Sequence, residues 1–345
     1  MLKKNSNGKP VLVLGMLGRL GDIIAAEPAF RTLRAMYPER HFIWITSRAF
    51  SGVLRKAPYL DEIIEVADKE EYLTCRDAMP ADAVIYEFNM GNKRNSNIPS
   101  HPGVIPAPYK TDAIKLLHCF TRPYGLQCQD ETPQFYLDPE SPMPELPDKY
   151  VVFHCTSNSK HRQWQQGKWN QLAKKCIDAG FHVVEIGIVP VVNLKSDKVI
   201  HQNGVVDLHI AAKIIRGSVC FIGMESGFGH MANSLGTPGV IITGKKRDDL
   251  PEYNLYTGNY SEYGTLGNLV RFYGQFPDAV PVQTVWEITE RTLLGEPLSY
   301  DECTIYCLRE QLKKLKSRWS FRLTEPFYSL QSRFCLTLMR NRRKR

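Results

Sequence analysis

The chain has 345 residues, 43% of them hydrophobic and 23% charged, which suits two folded domains of roughly 150 residues each. No stretch reaches the roughly 18–20 uninterrupted apolar residues of a membrane span. The net charge of +8 is uneven: residues 309–345 hold twelve Lys/Arg against Glu310 and Glu325, a local +10 that leaves −2 for the rest, so the basicity bears on what the tail touches. The nine cysteines contain no Cys-x-x-Cys pair and no zinc-finger spacing, and several stand inside apolar runs, which reads as reduced core thiols.

From the start of the chain, the apolar run Val11–Leu14 is cut short by Gly15, Arg19 and Asp22, so no secretory h-region forms and the protein is expected to be cytoplasmic. Runs at 11–15, 42–46, 62–66 and 83–88 read as strands, with amphipathic stretches such as 29–38 between them. This alternation predicts βαβ units and a parallel sheet covered on both faces. The proline-rich interval 137–149 reads as an interdomain linker. After it the pattern restarts, with strands at 150–155, 181–187, 218–223 and 238–244 and helices at 168–180, 207–217 and 229–236. Gly180, Gly217 and Gly236 follow the helices, where a left-handed C′ residue is expected.

The reading is therefore α/β: a Rossmann-like half over 1–145, a second over 146–300, and a cleft between them lined by strand C-terminal ends. A last domain helix is expected over 282–295. Residues 301–345 form a basic tail in which Ile305, Leu308, Leu312, Leu315 and Trp319, then Phe327, Leu330, Phe334 and Leu338, recur at helical spacing. Two basic amphipathic helices there suit an anionic membrane surface, or equally a packed or dimerising helix. Nucleic acid is disfavoured because no binding module accompanies the charge.

Three stretches carry chemistry. The first, residues 14–30, has Gly15, Gly18 and Gly21 and then Asp22. It is neither a Walker A loop nor a G-x-G-x-x-G fingerprint, and Asp22 would repel an anion where those motifs seat one. Asp22 is either the N-cap of the next helix or a general base on the cleft, and Pro28 is compatible with both. The second stretch, at 225–236, has Ser226, Gly227 and Gly229 opening a helix whose N-terminus suits a pyrophosphate, with Glu225 ready to accept from a sugar hydroxyl and His230 nearby. The third concentrates Thr156, Ser157, Lys160 and Arg162, donors fitted to phosphate oxygens or else a solvated basic loop, with Trp164 packing at a helix entry. No nucleophile elbow and no D-x-D pair at a strand end is present.

In this order the stretches resemble glycosyltransferase family 9. Gly21, Asp22, Pro28, Leu33 and Pro38 match the family's G-D-x-x-x-x-x-P-x-x-x-x-L-x-x-x-x-P pattern. Thr156-Ser157, Arg162-Gln163-Trp164, and Glu225-Ser226-Gly227 with His230, Ala232, Gly236 and Pro238 match its second-domain motifs. The resemblance spans about residues 10–295 and implies a GT-B fold and inverting, metal-independent transfer with no cofactor beyond the nucleotide-sugar co-substrate. It makes Asp22 the base, Thr156, Ser157, Lys160, Arg162, Glu225, Ser226, Gly227 and His230 the donor site, and Gly18, Gly21, Lys93 and Arg94 the acceptor side. The implied partners are a nucleotide sugar, ADP-heptose first, and a lipid-linked or lipopolysaccharide-core acceptor at the inner face of the membrane. An epimerase on the same architecture and a non-catalytic sugar-nucleotide sensor remain alternatives. Glu225 departs from the family's aspartate, and the segments 186–198 and 243–249 depart from its usual loops.

Overall fold

Runs of valine, isoleucine and aromatic residues become strands covered on both faces, as parallel sheets require. The computed structural model describes residues 8–88, 101–105, 116–157, 162–204, 207–244, 267–272 and 274–318. In the first half, β1 (Val11–Met16), β2 (His41–Ser47), β3 (Glu62–Val66) and β4 (Val84–Glu87) form a parallel sheet of order β3-β2-β1-β4. In the second, β5 (Tyr150–His154), β6 (His182–Gly187), β7 (Val199–Asn203), β8 (Cys220–Met224), β9 (Gly239–Ile242) and β10 (Gly267–Val270) form a parallel sheet of order β10-β9-β8-β5-β6-β7. The expected α/β architecture is thus present. The two strands that the sequence reading passes over, β7 and β10, are the two edges of this sheet. Edge strands need no continuous apolar run, and β7 carries His201, Gln202 and Asn203.

The helices are α1 (Leu20–Met36), α2 (Lys69–Asp77), α3 (His118–Thr121), α4 (Gln166–Asp178), α5 (Leu208–Arg216), α6 (Gly227–Ser234), α7 (Val282–Leu293) and α8 (Tyr300–Arg318). Gly180 and Gly236 take left-handed backbone, with φ of 89° and 72°. Gly217 does not: its φ is −78°, and a Cβ there would lie 2.6 Å from the Tyr150 hydroxyl, which donates to the Ile214 carbonyl. Glycine is required at 217 for space and not for handedness.

The expected linker contains no helix or strand over 125–149, and side chains fix its path. Glu27, fully buried on α1, accepts from Arg31, from the Gln134 N–H and from the Tyr136 hydroxyl. Farther along, the Asp138 N–H donates to His209 Nδ1 (3.0 Å), so the ring proton sits on Nε2 and donates to the Gly52 carbonyl (2.8 Å). One buried neutral imidazole on α5 therefore ties the linker to both halves.

Residues 1–307 form one compact unit holding both sheets, and 308–345 a second. The tail expected from residue 301 therefore begins inside the core. Cys303 and Cys307, one turn apart on α8, are buried with Val280, Val285 and Val270, and Cys303 Sγ contacts the Leu269 carbonyl. Apolar periodicity made this helix legible but not its function as core. The second tail helix expected over Phe327–Leu338 lies outside the described residues. A chain ending at Ser299 should melt at least about 4 °C below one ending at Arg318, the shift that about 2 kcal/mol produces in a domain of this size. Equal melting temperatures in thermal denaturation would contradict the packing of Cys303 and Cys307.

Candidate active site

Only Leu17, Gly18 and Arg19 separate β1 from α1, so the glycine-rich stretch is half turn and half helix. Arg19 occupies the N-cap position, with φ −86° and ψ 168°. Asp22 is the acidic residue of the first turn, and its Oδ2 accepts from the Arg19 N–H at 3.2 Å. The cap reading of Asp22 thus changes form: the carboxylate reaches back to the N-cap backbone and complements the positive helix end, without being the N-cap itself. Pro28 lies in the helix interior, not near its start, and the Pro28 carbonyl accepts from the Thr32 hydroxyl.

Each glycine of the stretch makes room for a different group. A Cβ at Gly15 would collide with the Tyr72 hydroxyl, which donates to Glu87 at the end of β4. At Gly18 it would meet Met16 Cε at 2.8 Å and Asp22 Cβ at 3.1 Å. At Gly21 it would lie 2.7 Å from His230 Cδ2 and 3.3 Å from Gly227 Cα. The close approach that Gly21 permits is therefore to α6. Gly227 reciprocates, since a Cβ there would be 2.7 Å from Leu20 Cβ and 2.9 Å from the Gly21 nitrogen. The first turns of α1 and α6 meet backbone to backbone, which brings the Asp22 turn of one half against the Ser226 turn of the other.

Ser226 is the N-cap of α6, with φ −165° and ψ 173°, but its hydroxyl makes no capping bond. It lies instead 3.1 Å from His154 Nδ1. His154 ends β5 and is only 6% exposed, with its ring 4.8 Å from that of Phe228. Burial pushes its pKa down to about 4. This histidine was missed as a site residue because a lone His at a strand end has no spacing signature. Beside it, Arg162 Nη1 and Glu225 Oε2 form an ion pair at 2.5 Å, both largely buried. Glu225, expected to meet a sugar hydroxyl, holds the guanidinium in place.

Thr156 and Ser157 follow β5 directly, and the Ser157 carbonyl accepts from Gln163 Nε2 at 2.6 Å. Trp164 packs at the α4 entry as expected, edge-on to Trp169, with its indole N–H donating to the Val280 carbonyl. Lys160, Lys93 and Arg94 lie outside the described residues, as do residues 245–249. Residues 188–198 contain no helix, and the buried Glu185 carboxylate orders the segment by accepting from the Val191 and Val192 N–H groups. Among the described residues no three His, Cys, Asp or Glu side chains converge as metal ligands, and no helix is long and apolar enough to cross a membrane.

The site thus joins a carboxylate on one sheet's helix to a helix N-terminus, an arginine and two hydroxyl residues on the other, a set able to take a proton on one side and hold an anion on the other.

Two predictions follow from these contacts. Gly227→Ala should cost about 1–3 kcal/mol through overpacking against Leu20 and Gly21, read as a lowered urea midpoint; an unchanged midpoint would contradict the α1–α6 contact. The second concerns His154, whose ordinary pKa is 6.5 and whose folded value is about 4. The unfolded chain binds the proton first, so this contribution is complete above pH 6.5 and lost by roughly 1.4 kcal/mol per unit as the pH falls toward 4. His154→Asn should flatten the fall of melting temperature between those pH values, and an equally steep fall would be inconsistent with a buried neutral ring.

Residues 121–250 match the model of glycosyltransferase family 9 (heptosyltransferase). Comparison with curated protein sequences gives no match. Among solved structures, the chain is similar to a family 9 glycosyl transferase from Veillonella parvula, at 18% identity and TM-score 0.64, covering 84% of this chain and 98% of that one. It is equally similar to the ADP-heptose lipopolysaccharide heptosyltransferase II of E. coli, at 18% identity and TM-score 0.64, covering 83% and 99%. A second E. coli heptosyltransferase, solved with ADP-2-deoxy-2-fluoro heptose, follows at 13% identity and TM-score 0.57, covering 81% and 99%. At such identities the structures speak for the fold, and the family rests on the matched segment. Residues 121–250, set on that two-sheet GT-B fold, identify the chain as a glycosyltransferase of family 9.

Proposed function

We propose that the chain is an inverting, metal-independent transferase that moves a heptose or related sugar from a nucleoside diphosphate, ADP-heptose first, to a lipopolysaccharide-core or other cell-envelope glycan. The observation that carries this reading is the glycine contact between α1 and α6, which sets the Asp22 turn beside the Ser226 turn. Asp22 is half-buried at a helix start and serves as the base that takes the acceptor hydroxyl's proton as that oxygen attacks the anomeric carbon. The departing diphosphate takes the bonding electrons. It is held by the α6 N-terminus, by Arg162 braced on Glu225, and by Thr156 and Ser157. Metal-free transfer follows from the family resemblance, with these groups supplying the charge that the diphosphate needs.

The E. coli heptosyltransferases are described with ADP-heptose and lipopolysaccharide, and those names support the same substrate class here. Residues beyond α8 are proposed to hold the enzyme at an anionic membrane surface from the cytoplasmic side, on the strength of their charge. Asp22→Ala should reduce sugar transfer at least about a thousandfold while nucleotide binding stays within a few-fold of the parent. Transfer that survives the substitution would remove Asp22 as the base.

A further inference from the structure

Ser226 stands at the N-cap of α6 with the extended backbone of a capping serine, yet its hydroxyl makes no bond to the helix it precedes. A serine in that position ordinarily satisfies one of the first-turn N–H groups, worth roughly 1 kcal/mol. The group that holds it elsewhere is His154 Nδ1, at 3.1 Å. His154 is not there for charge, since it is buried at the end of β5 and titrates at about 4. A phenylalanine would fill its place against Phe228 without the cost of burying an imidazole, so the ring nitrogen has a use. Gly187, whose φ of 133° and missing side chain leave a Cβ position 3.4 Å from His154 Cδ2, leaves room for the ring to stand in this orientation.

The geometry points to His154 as a positioning residue that turns the Ser226 hydroxyl away from the α6 cap and toward the leaving diphosphate of the donor. In this arrangement Nδ1–H donates to Ser226 Oγ, which leaves the serine's own O–H to donate to a phosphate oxygen. The first-turn N–H groups of α6 then stay available to the same anion instead of being satisfied by Ser226. His154 touches no substrate atom and acts only through Ser226. The inference rests on the donor-site reading above and goes beyond it by naming how the serine is set.

The test uses inorganic pyrophosphate and ADP as probes, titrated calorimetrically into the full chain and its variants. An asparagine amide can stand where Nδ1 stands, whereas a glutamine amide reaches only to the position of Nε2. His154→Asn should therefore bind both probes within about threefold of the parent, while His154→Gln and Ser226→Ala should each bind about tenfold more weakly, the effect of one hydrogen bond to a charged group. The double variant His154→Gln/Ser226→Ala should bind no more weakly than either single variant, because both remove the same interaction. Losses that multiply in the double variant, or Asn and Gln variants that behave alike, would show that His154 has only a structural role and would overturn the inference while leaving the donor site in place. A parent chain that binds neither pyrophosphate nor ADP would overturn the donor-site reading itself.

Discussion

The functional site depends on two glycines that face each other. Gly21 and Gly227 let the first turns of α1 and α6 approach so closely that a single Cβ on either would lie within 3 Å of the other helix. Helices normally pack 8–10 Å apart because side chains hold their axes off. Here side chains are withheld at the crossing, and the two helix starts, each belonging to a different sheet, become one site. Both carry the positive end of a helix dipole, which favours the Asp22 carboxylate on one and an anion on the other. Chemistry that needs a base and a leaving-group anchor at a fixed separation can be assembled in this way from two rigid scaffolds.

Around this contact the buried polar groups share one feature: each joins elements that the chain otherwise keeps apart. Glu27 ties α1 to the linker through Arg31, Gln134 and Tyr136. His209 joins α5 to the linker and to Gly52. Arg162 and Glu225 join the segment after β5 to the segment after β8. Removing one partner of such a group leaves the other buried and unsatisfied, so these bonds fix geometry more firmly than their net contribution suggests.

The sheets were readable from the sequence because parallel strands are apolar throughout, and the start of α6 because Ser-Gly after a strand is a strong signal. The edge strands β7 and β10 were not, since an edge has no need of an apolar run. Asp22 and Ser226 were legible as site residues through spacing, but their partners were not. A glycine's meaning depends on what fills the space it leaves, and that neighbour is distant in sequence: Tyr72 for Gly15, His230 for Gly21, Tyr150 for Gly217. His154 and Glu225 were read as a strand end and a sugar contact, because the hydroxyl and guanidinium they hold become neighbours only in the folded chain.

The central claim, that the glycine contact sets the base against the donor seat, is tested most directly by measuring sugar transfer and nucleotide binding side by side in Gly21→Ala. The added methyl group would press on His230 and Gly227, pushing the helix starts apart while leaving the phosphate-binding groups intact. The account predicts a fall in transfer rate of about tenfold or more with nucleotide affinity within a few-fold of the parent, since a displacement near 1 Å can cost a hundredfold in rate. A variant that transfers sugar at the parental rate would contradict it.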